Sequence, residues 1–197
     1  TTGCCNTGLG KGAAQANTTG EANTAVGESA LNKNTTADNN TAVGCLALFD
    51  NTTGHSLTAV GMNALANNTT ANRNTAVGFQ CMLANTTGAE NAALGYNSLT
   101  ANTTGNRNVS VGDAALDAST TGSDNVAIGQ ESLGSNTTAS SNTAIGQKAL
   151  FTNTTGHSNT AVGKEALLSN TTALGNTAVG FASMDANTTG NESAALG

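Results

Sequence analysis

The chain has 197 residues with no Pro, no Trp, one Tyr and four Phe, and carries a formal net charge of −6 spread along its length. Its wealth of Asn, Thr, Ala and Gly is not the composition of an ordinary globule. Without a basic block there is no electrostatic footprint for nucleic acid or an anionic membrane, and no run approaches the ~18 apolar residues of a membrane span.

The order in the sequence lies in its period. The stretch Asn159-Thr160-Ala161-Val162-Gly163 returns every 17 residues without insertion or deletion, marked by Gly10, Gly27, Gly44, Gly61, Gly78, Gly95, Gly112, Gly129, Gly146, Gly163, Gly180 and Gly197. With this glycine as the seventeenth column, the unit reads x-x-small-Leu-x-x-Asn-Thr-Thr-Gly/Ala-x-x-Asn-Thr-Ala-Val-Gly. A disordered linker has no reason to hold an apolar column in register over so many copies. Residues 1–197 therefore read as a single repeat domain. Because Thr1-Thr2-Gly3 falls within a unit, the chain is expected to be a segment of a longer protein or filament.

A 17-residue unit with one β-rich segment and two turn signals is too short for a helix-containing repeat. It suits an all-β fold, a β-solenoid (β-roll or β-helix) of about 11.5 coils and a length of ~55 Å at ~4.8 Å per coil. In Thr160-Ala161-Val162, alternation puts Thr and Val on one face and Ala on the other. Assigning the aliphatic residue inward makes the sixteenth column core and sends Ala161 outward. Gly163 ends the strand with a positive φ or a close backbone approach. Ala166-Leu167 then begins a return strand with Leu inward and Ala outward. Asn170-Thr171-Thr172 and Ala173 form the third side and second corner, where tolerance of Ala implies a negative φ.

The fourth and sixteenth columns are thus the expected core, represented by Val26, Leu31, Val43, Leu48, Val60, Leu65, Val77, Val111, Ile128, Ile145, Val162 and Val179. All charged residues fall in the first, second, fifth, sixth, eleventh and twelfth columns, which are expected to face water. Asparagine columns, as at Asn142 and Asn159, are expected to stack as amide ladders, interrupted at Leu57 and Ser193. One coil buries about one Leu and one Val, worth roughly 2 kcal/mol each, which cannot order 17 residues alone. Stability must come from stacking on neighbours. So thin a core, with small-residue columns at Ala161 and Ala166 taken as outward faces and strand edges bare at each end, predicts self-association as a homotrimer or an end-to-end filament.

Chemistry-bearing residues are sparse. His55 and His157 share a column but lie six coils, ~29 Å, apart, with no nucleophile or carboxylate fixed around either. Acidic residues such as Asp38, Asp113 and Glu131 scatter over several columns, so no catalytic residue, cofactor or metal site is expected. Cys4, Cys5, Cys45 and Cys81 occupy four different columns. They match no zinc pattern, and Cys45 and Cys81 are poorly placed for a disulfide. The Asn-Thr-Thr segment matches the N-glycosylation acceptor pattern at Asn17, Asn34, Asn51, Asn68, Asn85, Asn102, Asn136, Asn153, Asn170 and Asn187. One Thr of each pair, as in Thr137-Thr138 and Thr154-Thr155, should point outward in a row. The aromatic residues Phe49, Phe79, Tyr96, Phe151 and Phe181 fall in exposed columns, where glycans or partner chains could meet them.

The copies Asn74-Thr75-Ala76-Val77-Gly78 and Asn142-Thr143-Ala144-Ile145-Gly146, followed by Ala-Leu and Asn-Thr-Thr-Gly, resemble repeats of phage tail fibres and bacterial surface proteins that often precede an endosialidase-type chaperone domain. They are also similar to the left-handed β-roll of YadA-type trimeric autotransporter adhesin heads, whose turns are shorter and lack the Asn-Thr-Thr insertion. The resemblance implies a non-enzymatic shaft of an extracellular fibre, filament or adhesin, on a cell surface or a virion. Its partners would be copies of itself and cell-surface glycans or a receptor, with no nucleic acid and no membrane insertion. The alternative from the residues themselves is an ice- or crystal-surface-binding solenoid that uses the outward Thr ladder.

Overall fold

The computed structural model describes residues 2–197, so Thr1, the first residue of the first Thr pair, lies outside it. Among the described residues the chain is all-β, a solenoid of about 11 turns with roughly 17 residues per turn and no helix. Twelve strands of three residues, from β1 (Thr7–Leu9) to β12 (Ala194–Leu196), form one parallel sheet in sequence order. Each residue pairs with its equivalent in the next coil, as Thr160 with Thr177 and Val162 with Val179. Parallel neighbours require a crossover, and here the remainder of each coil supplies it.

That remainder contains turns in place of the expected return strand. The Ala166 N–H donates to the Gly163 carbonyl at 3.3 Å and the Asn170 N–H to the Leu167 carbonyl at 3.1 Å. Three positions per coil take left-handed backbone, as at Ser158 (φ 60°), Glu165 (φ 60°) and Leu167 (φ 51°). Such a conformation costs a non-glycine residue on the order of 1 kcal/mol, and it breaks the alternation of an extended chain. Ala166 and Leu167 consequently both point inward, each fully buried. Burial of the Leu, worth about 2 kcal/mol, together with a 3.0 Å bond from the Leu167 N–H to the Ser183 carbonyl, outweighs the backbone strain.

The sheet is oriented opposite to expectation. Ala25, Ala42, Ala127, Ala144 and Ala161 are fully buried, whereas Ile128, Ile145 and Val179 are 37%, 38% and 37% exposed on the outer face. Val26, Val43, Val60, Val77, Val111 and Val162 lie half-buried beside them. The sixteenth column is therefore not core, and the Ala161 and Ala166 columns are interior walls that present no interface. Volume explains the reversal. Leu31, Leu48, Leu65, Leu116 and Leu167 fill the centre from the turn side, and a close-packed interior leaves only methyl-sized room opposite them.

Gly163 shows why the corner admits no other residue. Its φ is +137°, and a Cβ would run into the Gly180 carbonyl of the next coil, so conformation and close approach both exclude a side chain. The Gly/Ala corner differs: Gly156 lies outside the left-handed region and Ala173 fits the equivalent place, 2% exposed.

Candidate functional site

Among the described residues there is no cavity and no group of three or more His, Cys, Asp or Glu able to hold a metal ion. Nor is any helix there long and apolar enough to cross a membrane. The positive features are rows, because equivalent positions of successive coils line up along the axis.

Two asparagine rows run inside. In the seventh column amides donate to the one before, as Asn51 Nδ2 to Asn34 Oδ1 at 3.0 Å and Asn68 Nδ2 to Asn51 Oδ1 at 2.9 Å, and the ladder ends at Asn170, whose Oδ1 has no partner. The same amide also donates within its own turn, as Asn51 to the Gly54 carbonyl at 2.9 Å. Ser119 breaks this ladder, leaving Asn102 Oδ1 and Ser119 Oγ without a partner. The thirteenth column adds main-chain contacts to its ladder: Asn159 Nδ2 donates to Asn142 Oδ1 at 3.3 Å, as expected, while Asn142 Oδ1 also accepts the Asn159 main-chain N–H at 3.0 Å and Asn159 Nδ2 also donates to the Ala173 carbonyl at 2.8 Å. This row clamps the strand of one coil to the corner of the next. Leu57 keeps half the pattern, donating its N–H to Asn40 Oδ1 at 3.0 Å.

Burial decides the acceptor asparagines. Asn34, Asn51, Asn68, Asn85, Asn102, Asn136, Asn153 and Asn170 are fully buried, their amides committed to the ladder. They cannot carry a glycan in the folded coil, because a substituted Nδ2 would have to leave the interior. Only Asn17 and Asn187, near the two ends, are partly exposed.

The paired threonines separate. Eighth-column hydroxyls donate to the next coil's main chain, as Thr52 Oγ1 to the Thr69 carbonyl at 3.0 Å and Thr154 Oγ1 to the Thr171 carbonyl at 3.1 Å. Ninth-column residues such as Thr138 and Thr155 are exposed. A second outward row, which sequence reasoning turned inward, comes from the sheet: Thr24, Thr41, Thr58, Thr143 and Thr160 lie half-buried beside the aliphatic column. Ala92, Val109 and Val126 interrupt it.

Across the glycine corner lies the first column, where Met62 is 45% exposed, Tyr96 55% and Phe181 69%. The Phe79 and Tyr96 rings stack with centroids 5.3 Å apart and planes 9° from parallel. Elsewhere the aromatics sit under cations, Lys33 Nζ lying 4.9 Å from the Phe49 ring and Lys148 Nζ 5.4 Å from Phe151.

Charged side chains also pair along columns. Arg73 with Glu90 and Arg107 with Asp124 occupy four successive coils of the twelfth column. Arg107 grips Asp124 through Nε at 2.7 Å and Nη2 at 2.9 Å, and this hydrogen-bonded contact holds the carboxyl of Asp124 below its ordinary range. Burial pushes the Asp117 carboxyl up. His55 and His157 are exposed. All four cysteines are free: Cys4 and Cys5 exposed, Cys45 half-buried, Cys81 buried. Burial raises the Cys81 thiol to about 12, so it stays protonated and unreactive. The hydrogen bond shared between the adjacent Cys4 and Cys5 sulfurs raises the Cys4 thiol.

Comparison with protein-family models, with curated proteins and with solved structures finds no match.

Proposed function

We propose that this chain is a structural rod, the shaft of an extracellular fibre, filament or adhesin on a bacterial surface or phage tail, with no catalytic role of its own. The observation behind this reading is that rows of hydrogen bonds run from coil to coil on every side. The main chain, the buried amides and the eighth-column hydroxyls from Thr18 to Thr171 all take part. Bending must lengthen many of these bonds together, so the solenoid resists curvature. Length and stiffness are what a shaft requires, and they reside in no single residue. Immunogold labelling of the producing cells or particles with antibody against residues 1–197 is expected to decorate surface projections. Label confined to the cell interior would sink the proposal.

A second reading, binding to ice or a crystal surface, is favoured by the unbroken outward row of ninth-column threonines from Thr19 to Thr172, all exposed. Against it, the neighbouring eighth-column hydroxyls are already bonded to carbonyls. On this reading Thr138→Lys with Thr155→Lys abolishes any shaping of ice crystals. Unaltered ice growth with the wild-type rod rejects it.

A further inference from the structure

The sheet face is not uniform along the rod. From Cys45 to Tyr96, four successive coils carry Cys45, Met62, Phe79 and Tyr96 in the first column beside the outward aliphatic column, and no charge lies in the sheet columns there. Leu94, 50% exposed, and Tyr96, 55% exposed, mark the most open part. Immediately outside this stretch the first column turns ionic, with exposed Lys11 and Glu28 on one side and exposed Asp113 on the other. None of these three makes an ion pair among the described residues.

We infer that this face docks a second copy of the chain, side by side and antiparallel, about an axis at the level of Met62. Two flat faces related by an axis across the rods keep each column opposite itself with the coil order reversed. Met62 then meets Met62, Cys45 meets Phe79, Glu28 meets the Tyr96 phenol, and Lys11 meets Asp113, the last three contacts occurring twice. Sliding by one coil either sets Glu28 against Asp113, two like charges, or sets Glu28 against the Phe79 ring. Parallel docking places the first column over the threonine column and leaves its charges unpaired. Charge complementarity thus selects one register.

Size sets the strength. The overlap from Lys11 to Asp113 covers seven coils, ~34 Å by ~13 Å at the spacings of a parallel sheet. That footprint of ~450 Å² per copy is little over half the ~800 Å² per partner of a standard stable complex. The pairing is therefore reversible, with half-association between about 10 μM and 1 mM. It involves no end-to-end contact and holds whether or not the rod serves as a shaft.

Sedimentation of residues 1–197 over that concentration range is expected to show a monomer–dimer equilibrium. Met62→Asp, which sets two carboxylates together on the axis, weakens dimerisation at least about tenfold with unchanged circular dichroism. Lys11→Asp also weakens it, and adding Asp113→Lys restores it. With Cys4, Cys5 and Cys45 replaced by Ser, Met62→Cys gives a covalent dimer on mild oxidation. A monomer throughout the range overturns the inference, as do open-ended growth insensitive to Met62→Asp and a charge swap that restores nothing.

Discussion

Leu116 and Val111 stand in two strongly apolar columns, five residues apart, and the coil treats them oppositely. Leu116 is fully buried and sits in left-handed backbone at φ 51°, while Val111 lies half-buried on the outer face of the sheet. Intermittent exposure is not the distinction, since each column keeps its side wherever the coil is complete. In a tube this narrow, strand residues face the Leu across the interior, and only Ala or Ser fits there. The strand's larger side chain must then face out. Hydrophobicity marks both columns, but volume sorts them.

Charges should break that contrast most visibly. Leu116→Asp places an unpaired carboxylate among Leu99, Leu133 and the alanine walls, and is expected to unfold several neighbouring coils together. Val111→Asp, expected from the sequence alone to do the same, should leave the solenoid folded with only a modest fall in melting temperature. Two similar melting curves would undo the inner and outer assignment.

Truncation sharpens the same contrast on a smaller scale. Leu133→Ala empties the centre of one coil and is expected to cost about 2–5 kcal/mol in chemical denaturation. Ile145→Ala, on a side chain already 38% exposed, should cost clearly less.

The amide row adds a polar version. Asn85→Ala removes the donor to Asn68 Oδ1 at 3.0 Å and the acceptor of Asn102 Nδ2 at 2.8 Å, leaving buried partners unpaired at about 1–3 kcal/mol. Thr87→Ala, its exposed neighbour, is expected to leave the denaturation midpoint nearly unchanged, and equal losses would deny the ladder its role.

Cys81 and Cys45 carry the comparison into pH. An alkylating reagent should label Cys45 in the folded rod and spare Cys81 until the rod unfolds. The folded Cys81 thiol is raised to about 12 from an ordinary 9.0. Stability from its protonated burial is thus fully present below pH 9 and lost as pH rises toward 12, by about 1.4 kcal/mol per unit. Cys81→Ala should remove that increment of alkaline sensitivity at little cost, since Ala30 and Ala47 fill the same place fully buried. Identical pH profiles for the two proteins would contradict it.

Much was legible from residues alone. The 17-residue period determined one coil per repeat, a stack of such coils, and strands at Thr-Ala-Val. The invariant glycine marked a corner whose positive φ and close approach leave no room for a side chain, and the asparagine columns marked internal ladders. Alternation also linked Thr to Val and opposed both to Ala, but a local rule of period two carries no sign: it cannot say which face closes over the interior. That sign, the left-handed backbone that turns Ala166 and Leu167 inward together, and the burial that closes Asn34 through Asn170 to modification arise only when the coil shuts. The cross-section must then be filled by one Leu and its facing alanines, and each chain-linking polar group must find its partner in the coil above or below.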